Sequence, residues 1–105
     1  MNKSRCLAVM LKVLAVETRI RIIRLLKAHP LCVGALSARL DVTQGAVSQH
    51  LRVLREAGLV SAEKRGYFVH YRLNEKTLNR WKIRMDKLLE PSAETGCACS
   101  RRQRG

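Results

Sequence analysis

Carboxylates are scarce in this chain. Eight aspartates and glutamates stand against 21 lysines and arginines, a formal net charge of +13 over 105 residues. A surplus of that size bears on partners rather than on fold, and it points to a polyanion. Long apolar runs are missing too: no stretch of about eighteen or more apolar residues occurs, so no bilayer-spanning helix and no membrane partner are expected. Lys3 and Arg5 ahead of Cys6-Leu7-Ala8-Val9-Met10-Leu11 imitate a secretory signal, but Lys12 and Glu17 interrupt the run and helical spacing explains it better. A cytoplasmic protein is the expectation. In that compartment the four cysteines are expected as reduced thiols, metal ligands or redox sensors rather than structural disulfides. Internal repeats are absent, and the length is that of one domain, small enough for a dimer to help stabilise it.

The chain is organised around the stretch from Asp41 to Val60. Thr43 is a good N-cap, Gly58 stands where a left-handed C-terminal residue is needed, and Ala46, Val47, Leu51 and Leu54 repeat between them at helical spacing. The other face carries Gln44, Ser48, Gln49, Arg52 and Arg55, with no carboxylate until Glu56. Hydrogen bonders suited to base edges are mixed there with partners for phosphates. A solvated helix normally mixes both signs of charge, so this face is expected to meet an anion. Its polarity favours nucleic acid over a membrane surface. Upstream, residues 33–40 read as a short helix ending at Asp41, and the pair forms a helix-turn-helix with the second helix as reader. Two ordinary packed helices are the alternative. Downstream, residues 60–64 and 67–73 are strand-like runs joined at Arg65-Gly66, where a glycine can take the positive φ of a tight hairpin. A basic hairpin after a reading helix makes a winged helix-turn-helix.

The remaining segments complete a mainly α fold in the order α-α-α-α-β-β-α. Residues 4–14 form a first helix with Leu7, Met10, Leu11 and Leu14 on one side. Ala15 to Thr18 break the rhythm, and a second helix carrying Ile20, Ile23 and Leu26 runs to Ala28, before His29-Pro30 ends it. After the wing, Asn74 caps a last helix in which Leu78, Trp81, Met85 and Leu88 make a seam for another helix. That seam is a candidate subunit contact, with intramolecular packing as the alternative. From Pro91 the composition turns small, polar and basic, with little to bury. The expected organisation is therefore a DNA-binding and dimerisation domain over residues 1–90 and a flexible cysteine-containing tail over residues 91–105.

Leu31-Cys32-Val33-Gly34-Ala35-Leu36, the run Gln44 to Leu54, Ala57-Gly58-Leu59-Val60, and Gly66-Tyr67-Phe68-Val69-His70-Tyr71-Arg72-Leu73 together resemble the ArsR/SmtB family of metal-sensing repressors over about residues 7 to 90. The resemblance implies a homodimer packed through its first and last helices. Two reading helices would then enter major grooves about 34 Å apart on an imperfect palindrome of double-stranded operator DNA. In that setting Gln44, Ser48 and Gln49 are candidates to read base edges. Thr43, Arg52 and the helix N-terminus suit phosphates, and Gly45 lets the backbone come close. His50 is expected either at the DNA or in packing. Lys64 and Arg65 are expected along the DNA backbone or in the minor groove, while Tyr67, Val69 and Tyr71 read as packing residues of the hairpin and Arg72 as either.

Cys97-Ala98-Cys99 is the most suggestive chemistry outside the DNA-binding region. Two thiols one residue apart can turn toward one soft ion, and thiolates select arsenite, antimonite, Cu(I), Zn, Cd or Pb over hard cations. Arsenite favours three thiolates, so Cys6 or Cys32 is needed as a third ligand. The family resemblance implies a Cys-Val-Cys where this chain has Cys32-Val33-Gly34, so the second thiol of the usual site is missing. The same resemblance implies Asp and His pairs on the last helix for zinc-type sensing; here that helix has Asp86 and no histidine. The expected protein is a repressor released by As(III) or another thiophilic ion, with no organic cofactor. A redox-responsive repressor is the nearer alternative. A thiol enzyme or metal carrier is the remote one, since no general base stands near the cysteine pair.

Overall fold

A computed structural model describes residues 2–91. Cys97 and Cys99, and the tail to which they belong, lie outside the described residues. The elements run α1 (Lys3–Leu14), α2 (Glu17–Ala28), β1 (Leu31–Cys32), α3 (Val33–Leu40), α4 (Gln44–Glu56), β2 (Val60–Arg65), β3 (Phe68–Leu73) and α5 (Glu75–Leu89). This is a winged helix-turn-helix with one element more than the sequence predicts. β1, two residues long, pairs antiparallel with β3, so the hairpin grows into a three-stranded sheet of order β1-β3-β2. A two-residue strand shows no alternation, and only its partner across the fold makes it one.

Local chemistry explains most element ends. The Asn2 side chain accepts from the Arg5 N–H at 2.7 Å and starts α1. Thr43 accepts from the Ala46 N–H at 3.1 Å, and Asn74 accepts from the N–H groups of Lys76 and Thr77; each satisfies donors that a first helical turn leaves without partners. α4 ends in a left-handed residue, Gly58 at φ 81°. The Leu59 N–H then reaches the Leu54 carbonyl and the Gly58 N–H reaches the Arg55 carbonyl, both at 2.9 Å, the Schellman pattern that closes a helix. α2 begins at Glu17, earlier than the broken rhythm over 15–18 suggests.

The main core cluster draws on every element except α1 and α5 and centres on α4, with Met10 of α1 buried apart from it. Ile22, Leu36, Val47, Leu51, Leu54 and Leu59 are its most deeply buried residues, joined by Leu26, Leu31, Leu40, Val60 and Leu73. On α2 the inward residue is Ile22, whereas Ile20 is exposed. α1 adds Val13 and Leu14 at the edge of this core, and α5 adds Leu78 and Trp81. No helix among the described residues is long and apolar enough to cross a membrane.

Candidate nucleic-acid interface

The turn before α4 fixes its angle. Asp41 adopts a left-handed backbone, φ 57° and ψ 46°, a conformation that a short polar side chain tolerates better than most. Its N–H and that of Val42 both bond the Ser37 carbonyl, while the Ser37 hydroxyl donates to the Val42 carbonyl. Three polar groups of the turn, on Asp41 and Val42, are thus tied to Ser37 in the last turn of α3, which holds α4 against α3.

Val47, Leu51 and Leu54 anchor α4 from inside. The residues opposite them are exposed: Thr43, Gln44, Gly45, Ser48, Gln49, Arg52 and Arg55. Gly45, Gln49 and Arg52 lie on the line farthest from the core by helical spacing, and Gln44, Ser48 and Arg55 lie on the flank toward the hairpin. A Cβ built on Gly45 would meet nothing within 4 Å, whereas one on Gly34 would stand 3.8 Å from the Gln44 amide. Among the described residues nothing demands a glycine at position 45. Thr43 spends one lone pair on its cap, which leaves its hydroxyl proton able to donate outward. Arg52 pairs with Glu56 at 3.5 Å with both side chains largely exposed. Such a surface pair is worth little and exchanges readily for a phosphate.

His50 stands apart from this face. It is half-buried, and its Nδ1 accepts a hydrogen bond from Arg19 Nε at 3.3 Å. Burial first, and the Arg19 guanidinium second, hold its imidazole below the ordinary histidine range. Of the two settings left open by the sequence, packing describes its surroundings. Arg19 itself also donates to the Val13 carbonyl at 3.2 Å. No sequence signal pairs Arg19 with His50, because the contact spans 31 residues.

The hairpin carries the second part of the candidate interface. Arg65 and Phe68 are the last paired residues, so the loop is Gly66-Tyr67 rather than Arg65-Gly66. Gly66 has φ 63° and Tyr67 does not share the positive sign, the pattern of a type II′ turn. Tyr67, expected as a packing residue, is instead the turn tip and 99% exposed; Val69 is also exposed. Tyr71 alone of the three packs against the core. Lys64 and Arg65 are both exposed. Glu63 sits between Arg65 and Arg72, 3.6 and 3.5 Å from them, so one carboxylate holds both guanidinium groups near the sheet surface. Between α4 and the hairpin runs an open cleft of about 440 Å³, lined by Ser48, Leu51, Arg52, Arg55, Glu56 and Tyr71. Its apolar floor and cationic rim can seat a sugar-phosphate strand.

The two described cysteines occupy different settings. Cys6 is half-buried in a groove between α1 and α5 with Val9, Met10, Val13, Ala57, Trp81 and Arg84. Cys32 does not line that groove; on β1 it stands directly opposite His70, whose Nδ1 is buried without a hydrogen-bond partner. Among the described residues no three His, Cys, Asp or Glu side chains come together closely enough to hold a metal ion. Within one chain the described thiols are Cys6 and Cys32, so a third thiolate from the same chain would have to come from Cys97 or Cys99.

The model for bacterial regulatory proteins of the arsR family matches residues 17–62, from the start of α2 into β2. The arsenical resistance operon repressor of Escherichia coli K12 is 48% identical over 64 residues, 60% of this chain and 55% of that protein. The chain thus spans little more than half the length of this relative. Among solved structures, a possible transcriptional regulator for arsenical resistance superposes with a TM-score of 0.71 at 39% identity, over 76% of this chain and 83% of that one. Reduced HlyU from Vibrio cholerae N16961 superposes with a TM-score of 0.66 at 36% identity, over 85% and 95%.

Proposed function

This chain belongs to the ArsR family of bacterial regulatory proteins, and from that footing we propose that it is a homodimeric repressor that leaves its operator when a thiophilic ion, As(III) foremost, binds its cysteine thiolates. The observation that carries the DNA reading is the outward face of α4. It is polar and basic, it includes a helical glycine with no neighbour to demand it, and it continues across a cleft into a cationic hairpin. In this reading Gln44, Ser48 and Gln49 meet base edges; Thr43, Arg52, Lys64 and Arg65 meet the backbone; and Gly45 marks the closest approach.

The dimer reading rests on α1 and α5. Val9, Ile83, Leu88 and Leu89 are 54, 50, 52 and 72% exposed, and the groove holding Cys6 and Trp81 lies between these helices. A second copy would cover that apolar surface and bring Cys6 within a subunit interface. Two of the family relatives carry arsenical resistance in their names, which favours As(III). The ion releases DNA only if it binds the low-affinity arrangement better, since equal affinity for both shifts nothing.

The test is fluorescence anisotropy of the reduced protein on DNA from its own promoter, titrated with arsenite and repeated for Cys6→Ser, Cys32→Ser, Cys97→Ser and Cys99→Ser. Dissociation by arsenite in the parent, abolished by particular substitutions, is the expected result. A parent that stays bound in excess arsenite defeats the arsenic assignment. The similarity to a relative solved in reduced form keeps a thiol-oxidation trigger as the second reading, and release by peroxide with metals chelated would establish it instead.

A further inference from the structure

We propose that Arg19 is a positioning residue for DNA binding, its guanidinium bracing the end of α1 against the middle of α4 so that the reading helix follows the helix at the subunit contact. This rests on the DNA-binding reading above. The geometry is a single side chain with two anchors. Arg19 Nη1 donates to the Val13 carbonyl in the last turns of α1 at 3.2 Å, and Nε donates to His50 Nδ1 on α4 at 3.3 Å. α2, which carries Arg19, lies between the two helices it joins, and both partners are fixed by burial around them: Met10 on one side, Val47 and Leu51 on the other.

The brace works in one protonation state only. An arginine N–H can only donate, so His50 Nδ1 must be an unprotonated acceptor and its proton must sit on Nε2. A doubly protonated imidazole offers no acceptor and places two cations in contact. Arg19 is the charged group of α2 that acts on His50; Glu17, Arg21, Arg24 and Lys27 of the same helix are exposed. On the other elements packed against α4, Arg39 of α3 and Glu63, Lys64 and Arg65 of β2 are exposed, with Glu63 held between Arg65 and Arg72; none supplies a carboxylate to stabilise a cationic His50. Burial and Arg19 act in the same direction, favouring the neutral ring. The brace is therefore intact at neutral pH and is lost as pH falls through the lowered range of His50.

The experiment measures DNA selectivity, the ratio of affinities for a duplex selected from a random pool and a shuffled duplex, on the reduced full chain. The ratio cancels the general pH dependence of phosphate binding. Wild-type selectivity is expected to hold steady above the ordinary histidine range and to fall as pH drops below it, by about fivefold once His50 is fully protonated, the size of one hydrogen bond. His50→Gln, whose Oε1 accepts from Arg19 without titrating, should keep the selectivity of the parent at neutral pH and lose the pH dependence. Arg19→Ala should be low at every pH. Persistence of the wild-type slope in His50→Gln, or full selectivity in a folded Arg19→Ala, overturns the proposal. A measurement independent of any variant's folding is the ¹⁵N spectrum of the His50 ring in the parent: a neutral ring protonated on Nε2 is expected, and one protonated on Nδ1 overturns the contact. If no duplex is selected at all, the DNA reading fails, a result that the ring spectrum separates from failure of the brace.

Discussion

α4 and α5 are both capped, amphipathic helices, of 13 and 15 residues, and they use their two faces in opposite ways. α4 seats its apolar stripe completely: Val47, Leu51 and Leu54 are at most 1% exposed. What it leaves outside is polar, and it is content in water. α5 buries only Thr77 fully; its apolar stripe leans on the body through Leu78 and Trp81 and then runs out into solvent at Leu88 and Leu89. The difference separates two kinds of unfinished surface. Among the described residues, the outer face of α4 leaves polar groups uncovered, whereas that of α5 leaves apolar area uncovered. A ligand for the first must bring hydrogen-bond acceptors and negative charge, and a ligand for the second must bring apolar area.

The largest effect is expected from the inside of α4. Leu51→Ala would leave a cavity at the centre of the core, and urea denaturation should show a loss of about 2–5 kcal/mol. Such a loss removes much of what a small domain has, and DNA binding should disappear with the fold. A loss below that range would mean that α4 is seated less tightly than its burial indicates. On α5 the expected effect is smaller and of another kind. Leu88→Glu should leave monomer stability within about 0.5 kcal/mol, since the site is exposed. It should weaken self-association by about 2 kcal/mol, roughly 30-fold, in sedimentation equilibrium. Unchanged self-association would return α5 to intramolecular packing and remove the contrast between the helices.

These two helices also show what was readable in the sequence. Thr43, Asn74 and Gly58 act within one helical turn of themselves, so residue type and position suffice to predict them, and all three do in the structure what their chemistry dictates. The stripe on α4 and the seam on α5 follow from a period of 3.6. The features that sequence reasoning missed are those whose partners lie far along the chain. β1 exists because β3, some forty residues later, offers it a ladder, and Arg19 meets His50 through the packing of α2 on α4. Tyr67 failed differently: alternation along β3 places it inside, but a loop one residue later than Arg65-Gly66 makes it the tip. A shift of one residue in a hairpin reassigns a side chain completely.

The finest distinction between the two faces concerns Gly45. A glycine in the first turn of α4 costs helix stability relative to alanine, up to about 1 kcal/mol and less near a helix end. A side chain there would meet nothing within 4 Å, and its backbone is ordinary helix rather than left-handed, so neither crowding nor strain within the protein explains the residue. Gly45→Ala should therefore raise the thermal midpoint slightly. If the glycine is present because DNA backbone or base edges approach α4 there, the same substitution should weaken operator affinity by several-fold, about 1 kcal/mol. Stability and affinity then move in opposite directions in one variant, which no purely internal role for Gly45 can produce. Should both rise together, the DNA does not come closest at the first turn of α4, and the reading contacts belong farther along the helix, toward Gln49 and Arg52.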